Sequence, residues 1–311
     1  MRALHAYVKS DPSRLVYEEA PAPVLARDDV LVRVHASGVT PNELDWPTAW
    51  LDHADAPRPS PIVPGHEVAG VVEAIRPDAA TLSVGDAVYG LIDFRRDGAD
   101  AEYVAARAVE LAPKPATLTF AEAAAVPLSA LTAWQALFDH GELRAGQRVL
   151  IHGGAGGVGA FAVQLARWRG AEVTATVSAR DADLVRELGA IEVIDYRARR
   201  FEDGITDVDL VLDTVGGETW ERSWGVLRLG GRLVSIAVPR PPERQDDAGR
   251  RAIWFVVQAD GAQLVEIGGL IDGGQLRPIV SAVLPLARGR EAYGPSRHSG
   301  GPGKIVLLVA G

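Results

Sequence analysis

The chain has 311 residues, 47% of them hydrophobic and 23% charged, with a formal net charge of −9, a length that fills one large core or two ordinary ones. The negative balance argues against nucleic acid or an anionic membrane surface as partner, and no apolar run approaches the ~18 residues that a membrane span needs. Cysteine is absent, which removes disulfides and thiolate metal sites, and MRALHAYVKSDP at residues 1–12 has no apolar signal core, so a cytoplasmic location is expected.

Up to about residue 112 the pattern is that of short β-strands. DDVLVRVHASGV (28–39) alternates with period two, VAGVVEAI (68–75) is β-branched, and GDAVYGLI (85–92) and AEYVAA (101–106) follow after turns. From residue 113 the character changes. TFAEAAAVPLSALTAWQALFDH (119–140) is Ala-rich with helical period. QRVLIHGG (147–154) then reads as a buried strand, GGVGAFAVQLARWRG (156–170) as a helix, AEVTATV (171–177) as a strand, DADLVRELGA (181–190) as a helix and EVIDY (192–196) as a short strand. VDLVLDTV (208–215) is a strand, GETWERSWGVLRLGG (217–231) a helix ended by glycine, and RLVSIAV (232–238) a strand. Such alternation predicts a parallel sheet with helices on both faces. After a polar, Pro-rich connection at 239–251, IWFVVQ (253–258) is expected to be the edge strand of that sheet, and DGAQLVEIGGLIDGG (260–274) a helix. KIVLLVAG (304–311) comes too late to extend the parallel sheet and is expected to return to the N-terminal β region.

HGGAGGVG (152–159) lies at a strand-to-helix junction. Gly154, Gly157 and Gly159 have G-x-x-G-x-G spacing rather than the usual G-x-G-x-x-G, but the physical logic is the same. Glycines let the backbone approach a pyrophosphate, and the helix N-terminus offers free N–H groups and a positive dipole end. The run Gly154, Ala155, Gly156, Gly157, Val158 and Gly159 is therefore the expected dinucleotide loop. An NAD site usually carries an acid at the tip of the second strand; here the tip holds Ser178 and Arg180, which suit a 2′-phosphate, so NADPH is the expected cofactor. Tyr196, ending the next strand, either reaches the same phosphate or is an ordinary half-buried tyrosine.

These segments together resemble the medium-chain dehydrogenase/reductase superfamily, in particular its zinc-free quinone oxidoreductase (zeta-crystallin-like) branch. The resemblance runs the whole chain in order, through VLVRVHASGVTPNELDW, PGHEVAGVV, VGDAVYG, AAAVPLSALTAWQAL, GQRVLIHGGAGGVG, GAIEVIDY, LDTVGG and GKIVLLV. It implies an α/β protein in which a doubly wound Rossmann domain (113–259) accompanies a GroES-like, mainly β domain built from both chain ends (1–112 and 260–311), with nicotinamide and substrate in a cleft between them. It adds Asp213, Val215, Ile236 and Ala237 to the cofactor set, and it implies a homodimer, which an apolar edge strand would also favour.

His66, followed by Glu67, sits where zinc-using relatives present a ligand. Their first ligand, a cysteine, is matched by Thr40, and their last falls at Leu128–Ser129. Three good donors are needed for a catalytic zinc, so no metal is expected. Without a Lewis acid, hydride addition to a simple ketone is hard, whereas a quinone or an enone spreads the incoming charge. The resemblance implies the same chemistry: NADPH-dependent reduction of quinones and other conjugated carbonyls. An enoyl-type double-bond reductase and a non-catalytic NADPH-binding redox sensor are the alternatives.

The expected catalytic positions are Thr40, Asn42, Asp45 and Thr132. Asn42 stands in a Thr-Pro-Asn order where the branch often has Asn-Pro, and Thr132 matches a threonine near the nicotinamide of relatives. Trp46, Trp50, His66 and Phe94 are the expected substrate pocket, with DFRRDG (93–98) as a covering loop. No dedicated acid–base pair is evident, so positioning is expected to dominate catalysis.

Overall fold

The computed structural model describes residues 1–40, 42–76, 82–294 and 301–309. The chain divides into two units, Met1–Leu128 with Ala259–Gly274 and Pro278–Gly311, and Ser129–Gln258 with Gln275–Arg277.

In the first unit a hairpin of β1 (Arg2–Ala6) and β2 (Leu15–Glu19) precedes the long strand β3 (Asp29–Val39). β4 (Glu67–Ile75), β5 (Ala87–Leu91), β6 (Tyr103–Arg107) and β7 (Leu111–Pro113) follow. β3 pairs antiparallel with both β4 and β6, and its inward valines, Val30, Val32 and Val34, join Val68, Val72 and Val88 in one core. This is the period-two alternation of the sequence at work: one face is buried along the whole strand. β15 (Val280–Pro285) and β16 (Lys304–Leu308) complete the sheet, in the order β15-β16-β3-β4-β5-β7. β16 lies antiparallel against β3, Ile305 opposite Val39, so KIVLLVAG does return to the N-terminal sheet; its Ala310 and Gly311 lie outside the described residues.

The helix α1 (Phe120–Ala124) starts in a capping box, Thr119 Oγ1 accepting from Glu122 N at 3.2 Å while Glu122 accepts from Thr119 N at 2.9 Å. It packs on β3 so tightly that a side chain at Gly38 would meet Ala124 O at 2.3 Å. That contact places residues 113–128 with the first unit, whereas the sequence reading began the Rossmann domain at 113. The border falls inside α2 (Pro127–Trp134), which continues as a π-helical turn over Gln135–His140. A further helix of the first unit, α6 (Gly261–Asp272), is held by Tyr89, whose hydroxyl donates to Leu264 O at 2.6 Å.

In the second unit β8 (Arg148–His152), β9 (Glu172–Val177), β10 (Glu192–Asp195), β11 (Val208–Asp213), β12 (Leu227–Ser235) and β14 (Arg251–Trp254) are parallel, in the order β10-β9-β8-β11-β12-β14. This is the doubly wound order expected for a dinucleotide fold. α3 (Gly157–Trp168), α4 (Ala182–Leu188) and α5 (Glu218–Val226) connect the strands. Two expectations fail here. β12 begins at Leu227, not at Arg232, because Leu227 pairs with Val208 across a bulge and shortens the helix before it. IWFVVQ is not the sheet edge either: β14 ends at Trp254, and β13 (Arg244–Gln245), from the polar connection, covers it antiparallel. The outermost strand is thus two exposed residues long, a short polar edge of the kind that discourages stray pairing. Among the described residues, no helix is long and apolar enough to cross a membrane.

Candidate active site

Around the glycine loop, β8 ends at His152 and α3 starts at Gly157. Gly153 turns the chain with φ of 73°, and the N–H groups of Gly153 and Gly154 both donate to Thr176 O, tying the loop to β9. A Cβ at Gly159 would lie 2.1 Å from Gly153 O, and one at Gly154 would lie 3.0 Å from Ala175 Cβ. The loop is closed so tightly that only hydrogen fits at Gly159. Gly156, the N-cap of α3, provides no side-chain cap, so the first N–H groups of α3 are left for a ligand. These features fit the pyrophosphate of a dinucleotide. Below the loop, His152 is buried, bonded to Thr176 Oγ1 at 3.0 Å and Ser223 Oγ at 2.9 Å; burial, then the Arg222 charge, pushes it down to about 3, so it is a neutral prop.

The other expected cofactor residues gather at the same ends of the strands. Ser178, mostly buried, and Arg180, exposed, follow β9. Tyr196 is 55% exposed, beyond an ordinary half-buried tyrosine. Asp213 at the end of β11 is fully buried and its oxygens are committed to the protein: Oδ1 accepts from Val215 N and Gly216 N, both at 2.9 Å, and Oδ2 from Ser235 Oγ at 3.0 Å. It shapes the loop that presents the exposed Val215 and lies beside Ala237, whose N–H donates to Ser235 Oγ at 3.2 Å. Ile236 is half-buried.

In the first unit, Trp46, Phe94 and His66 come together: Phe94 meets Trp46 edge-on at 5.0 Å and His66 at 5.4 Å. Trp50 is fixed by its indole N–H, which donates to Leu44 O at 3.0 Å, and packs with Trp46 against the core of Leu44, Ala49 and Ile62. Asn42 and Asp45 are exposed on the short turn that carries Glu43 and Leu44 inward, while Pro41 of the Thr-Pro-Asn stretch lies outside the described residues. Thr132 is buried on α2 in the second unit.

Three groups that the sequence reading did not single out organise this unit. Glu43 is buried and its Oε1 accepts from His66 Nδ1 at 2.5 Å and from Gly65 N at 2.6 Å. His66 Nε2 donates to Arg96 O at 3.2 Å. Burial opposes charge on the imidazole, but the Glu43 carboxylate outweighs it and raises the pKa. Both ring nitrogens are therefore used as donors in a buried ion pair. Lys304, at the start of β16, donates to Glu67 Oε2 and to Thr40 Oγ1, the latter at 2.8 Å. Glu67 Oε1 accepts from Leu128 N at 3.0 Å. Asp100 is fully buried, accepting from Ser37 Oγ at 2.7 Å and Tyr293 Oη at 2.9 Å.

These contacts bear on a zinc ion. A ligating histidine must offer a lone pair, and His66 has none to spare; Thr40 is no thiolate; and Glu67 already faces an ammonium. Among the described residues no group of three or more His, Cys, Asp or Glu side chains is placed to hold a metal. The residues at the matched positions do not fit zinc.

Comparison with known proteins agrees with the fold. Residues 26–116 match the family described as alcohol dehydrogenase GroES-like domain, and residues 188–307 the family described as zinc-binding dehydrogenase. A probable zinc-binding oxidoreductase, mitochondrial, from Arthroderma benhamiae is 32% identical over 99% of this chain and 96% of its own. An NADPH-dependent alkenal/one oxidoreductase, chloroplastic, from Arabidopsis thaliana is 32% identical over 92% of this chain and 73% of its own. The structure of the quinone oxidoreductase from Coxiella burnetii superimposes with a TM-score of 0.89 at 30% identity, covering 100% of this chain and 99% of that one. The chain belongs to the medium-chain dehydrogenase/reductase superfamily, among its quinone oxidoreductase-like members, and is an oxidoreductase built for a nicotinamide cofactor.

Proposed function

We propose that the protein is a zinc-independent, NADPH-dependent reductase of quinones or enones. The observation that carries the reading is the pairing of a tightly closed glycine loop with Ser178 and Arg180 at the tip of β9, a hydroxyl and a guanidinium suited to a 2′-phosphate. Gly154, Ala155, Gly156, Gly157, Val158 and Gly159 would hold the pyrophosphate, and Val215, Ile236 and Ala237 would line the path toward the nicotinamide. A bound dihydronicotinamide supplies a hydride.

What remains for the protein is to orient a flat acceptor and hold the charge that develops on its oxygen. Trp46 and Phe94 offer an aromatic wall. Thr40 offers the donor: its oxygen already accepts from Lys304, so its proton points elsewhere, and the 3.4 Å contact to Glu67 is long enough to yield to a better acceptor. We assign that proton to the acceptor oxygen, with Asn42 and Asp45 as further polar positions of the same unit, Thr132 of the second unit assigned to the nicotinamide, and solvent as the final proton source. A conjugated acceptor suits this arrangement because one hydroxyl can stabilise a delocalised enolate-like oxygen where a bare alkoxide would need a metal. Reduction of an enoyl-type double bond is the same chemistry on another conjugated acceptor, and the likeness to an alkenal/one oxidoreductase favours keeping it as the second reading. A homodimer is part of the proposal, with β13 rather than IWFVVQ at the outer edge of the parallel sheet; a single-subunit mass by light scattering would remove it.

The test is to titrate NADPH and NADH separately and to measure turnover on panels of quinones, enones and simple ketones. NADPH should bind tighter, and conjugated acceptors should turn over while simple ketones do not. Equal affinity for the two cofactors, or a preference for simple ketones, would refute the proposal.

A further inference from the structure

Ser178 Oγ donates to Asp181 Oδ2 at 2.7 Å, and Arg180 Nε donates to the same oxygen at 3.1 Å. One carboxylate oxygen thus collects the two side chains that the NADPH reading assigns to the 2′-phosphate. The Asp181 side chain is only 13% exposed, whereas Arg180 is 62% exposed. The carboxylate is therefore set inward at the tip of β9, and the guanidinium reaches back over it. It does not cap the helix that follows: α4 starts at Ala182 with Asp181 as N-cap residue, yet no side-chain cap bond forms. Its bonds are spent on Ser178 and Arg180.

We propose that Asp181 is a specificity-determining residue, an internal anion that occupies the seat of the 2′-phosphate and holds down the preference for NADPH. The inference rests on the proposed NADPH reading and deepens it. A phosphate oxygen placed where Asp181 Oδ2 lies would accept the same two bonds. To do so it must displace the carboxylate, which then stands beside a dianionic group as a like charge. NADH brings a ribose hydroxyl instead, which the carboxylate can accept in place, as acidic residues at this strand end commonly do. The seat is thus built for phosphate but held by a carboxylate, and the two cofactors should be separated less than Ser178 and Arg180 alone would separate them.

Asp181→Asn keeps the shape and removes the charge. Dissociation constants for NADPH and NADH, and for the fragments 2′-phospho-AMP and AMP, should be measured by fluorescence or calorimetry at low and high salt. The variant should bind NADPH and the 2′-phosphorylated fragment tighter by on the order of tenfold, with NADH and AMP no tighter than before. The gain should shrink as salt screens the charge. An unchanged ratio of NADPH to NADH affinity, or weaker binding of NADPH, would overturn the proposal. Arg180→Ala separates the two layers. If it leaves NADPH affinity intact, the NADPH assignment itself is wrong. If it weakens NADPH while Asp181→Asn changes nothing, the assignment stands and the role given to Asp181 falls. The fragments report on the seat without turnover, and a melting curve for each variant shows whether the fold is kept.

Discussion

Asp100 should make the protein less stable as pH rises toward neutrality, and replacing it with asparagine should remove that penalty. Burial, with the charge of Glu43 added to it, pushes the carboxyl up to about 7, against the pull of bonds from Ser37 and Tyr293 and of the His66 charge. In the unfolded chain the group returns to its ordinary value of 3.8. The folded carboxyl thus keeps a proton that the unfolded one gives up, so the folded state binds more protons between those two values. Stability from this group is fully present below the unfolded value and is lost as pH climbs to about 7, after which it levels off. At about 1.36 kcal/mol per unit, the roughly three-unit gap sets a ceiling of about 4 kcal/mol. Asp100→Asn fits the same space, which is tight: a Cβ at Gly65 would lie 2.2 Å from Asp100 Oδ1. The amide has no charge to desolvate, and the Ser37 and Tyr293 hydroxyls can rotate to donate to its oxygen and accept from its nitrogen. Urea unfolding followed by tryptophan fluorescence from about pH 4 to about pH 8 should show the two proteins within about 1 kcal/mol at the acid end. The variant should pull ahead by up to about 4 kcal/mol at the alkaline end. A difference that does not change with pH, or a wild type that gains on the variant as pH rises, would refute the argument.

Lys304→Met should cost about 3–5 kcal/mol because Glu67 is left buried and uncompensated, whereas adding Glu67→Gln should recover most of it; equal losses in the single and double variants by denaturant unfolding would dismiss the ion pair as the cause. Gly159→Ala should weaken NADPH at least about tenfold, because its methyl collides with Gly153 O, while Gly156→Ala, 3.3 Å from the same carbonyl, should be mild; fluorescence titration that ranks them the other way would contradict the loop geometry. Exhaustive chelation should leave quinone or enone turnover unchanged, and stoichiometric zinc by elemental analysis together with lost activity would overturn the donor-set argument.

The parts of the fold that are legible in the sequence are those written in local period. The alternation of 28–39 becomes β3, the glycine run becomes the β8–α3 turn, and the strand–helix repeat becomes the parallel sheet. What is not legible is pairing across long separations. Glu43 reads as one more acid on a turn until His66 is packed against it, and Lys304 reads as a strand residue until β16 brings it to Glu67 and Thr40. The edge of the parallel sheet is hidden for a related reason: Arg244 and Gln245 carry no strand signal, and only their register with Ala252 and Arg251 makes them one. Likewise, an Ala-rich helix looks the same whichever unit it packs on, and only the close approach of Ala124 to Gly38 settles that α1 belongs with β3.

The seating of β16 between β15 and β3 has a consequence for synthesis on the ribosome. Ile305 pairs with Val39, so an interior strand of the first unit is translated after the whole parallel sheet of the second. While the chain is being made, the Ala36–Val39 end of β3 must wait with one edge unfilled, since β6 covers only Asp29–Arg33, and the second unit, nearly continuous in sequence, has everything it needs to fold first. The order of folding is then the reverse of the order of emergence for the N-terminal sheet: the first strands out are among the last to be completed. A nascent chain stalled before residue 304 should carry a protease-resistant nucleotide-binding unit beside an N-terminal sheet that is still open to cleavage and to pairing with other chains.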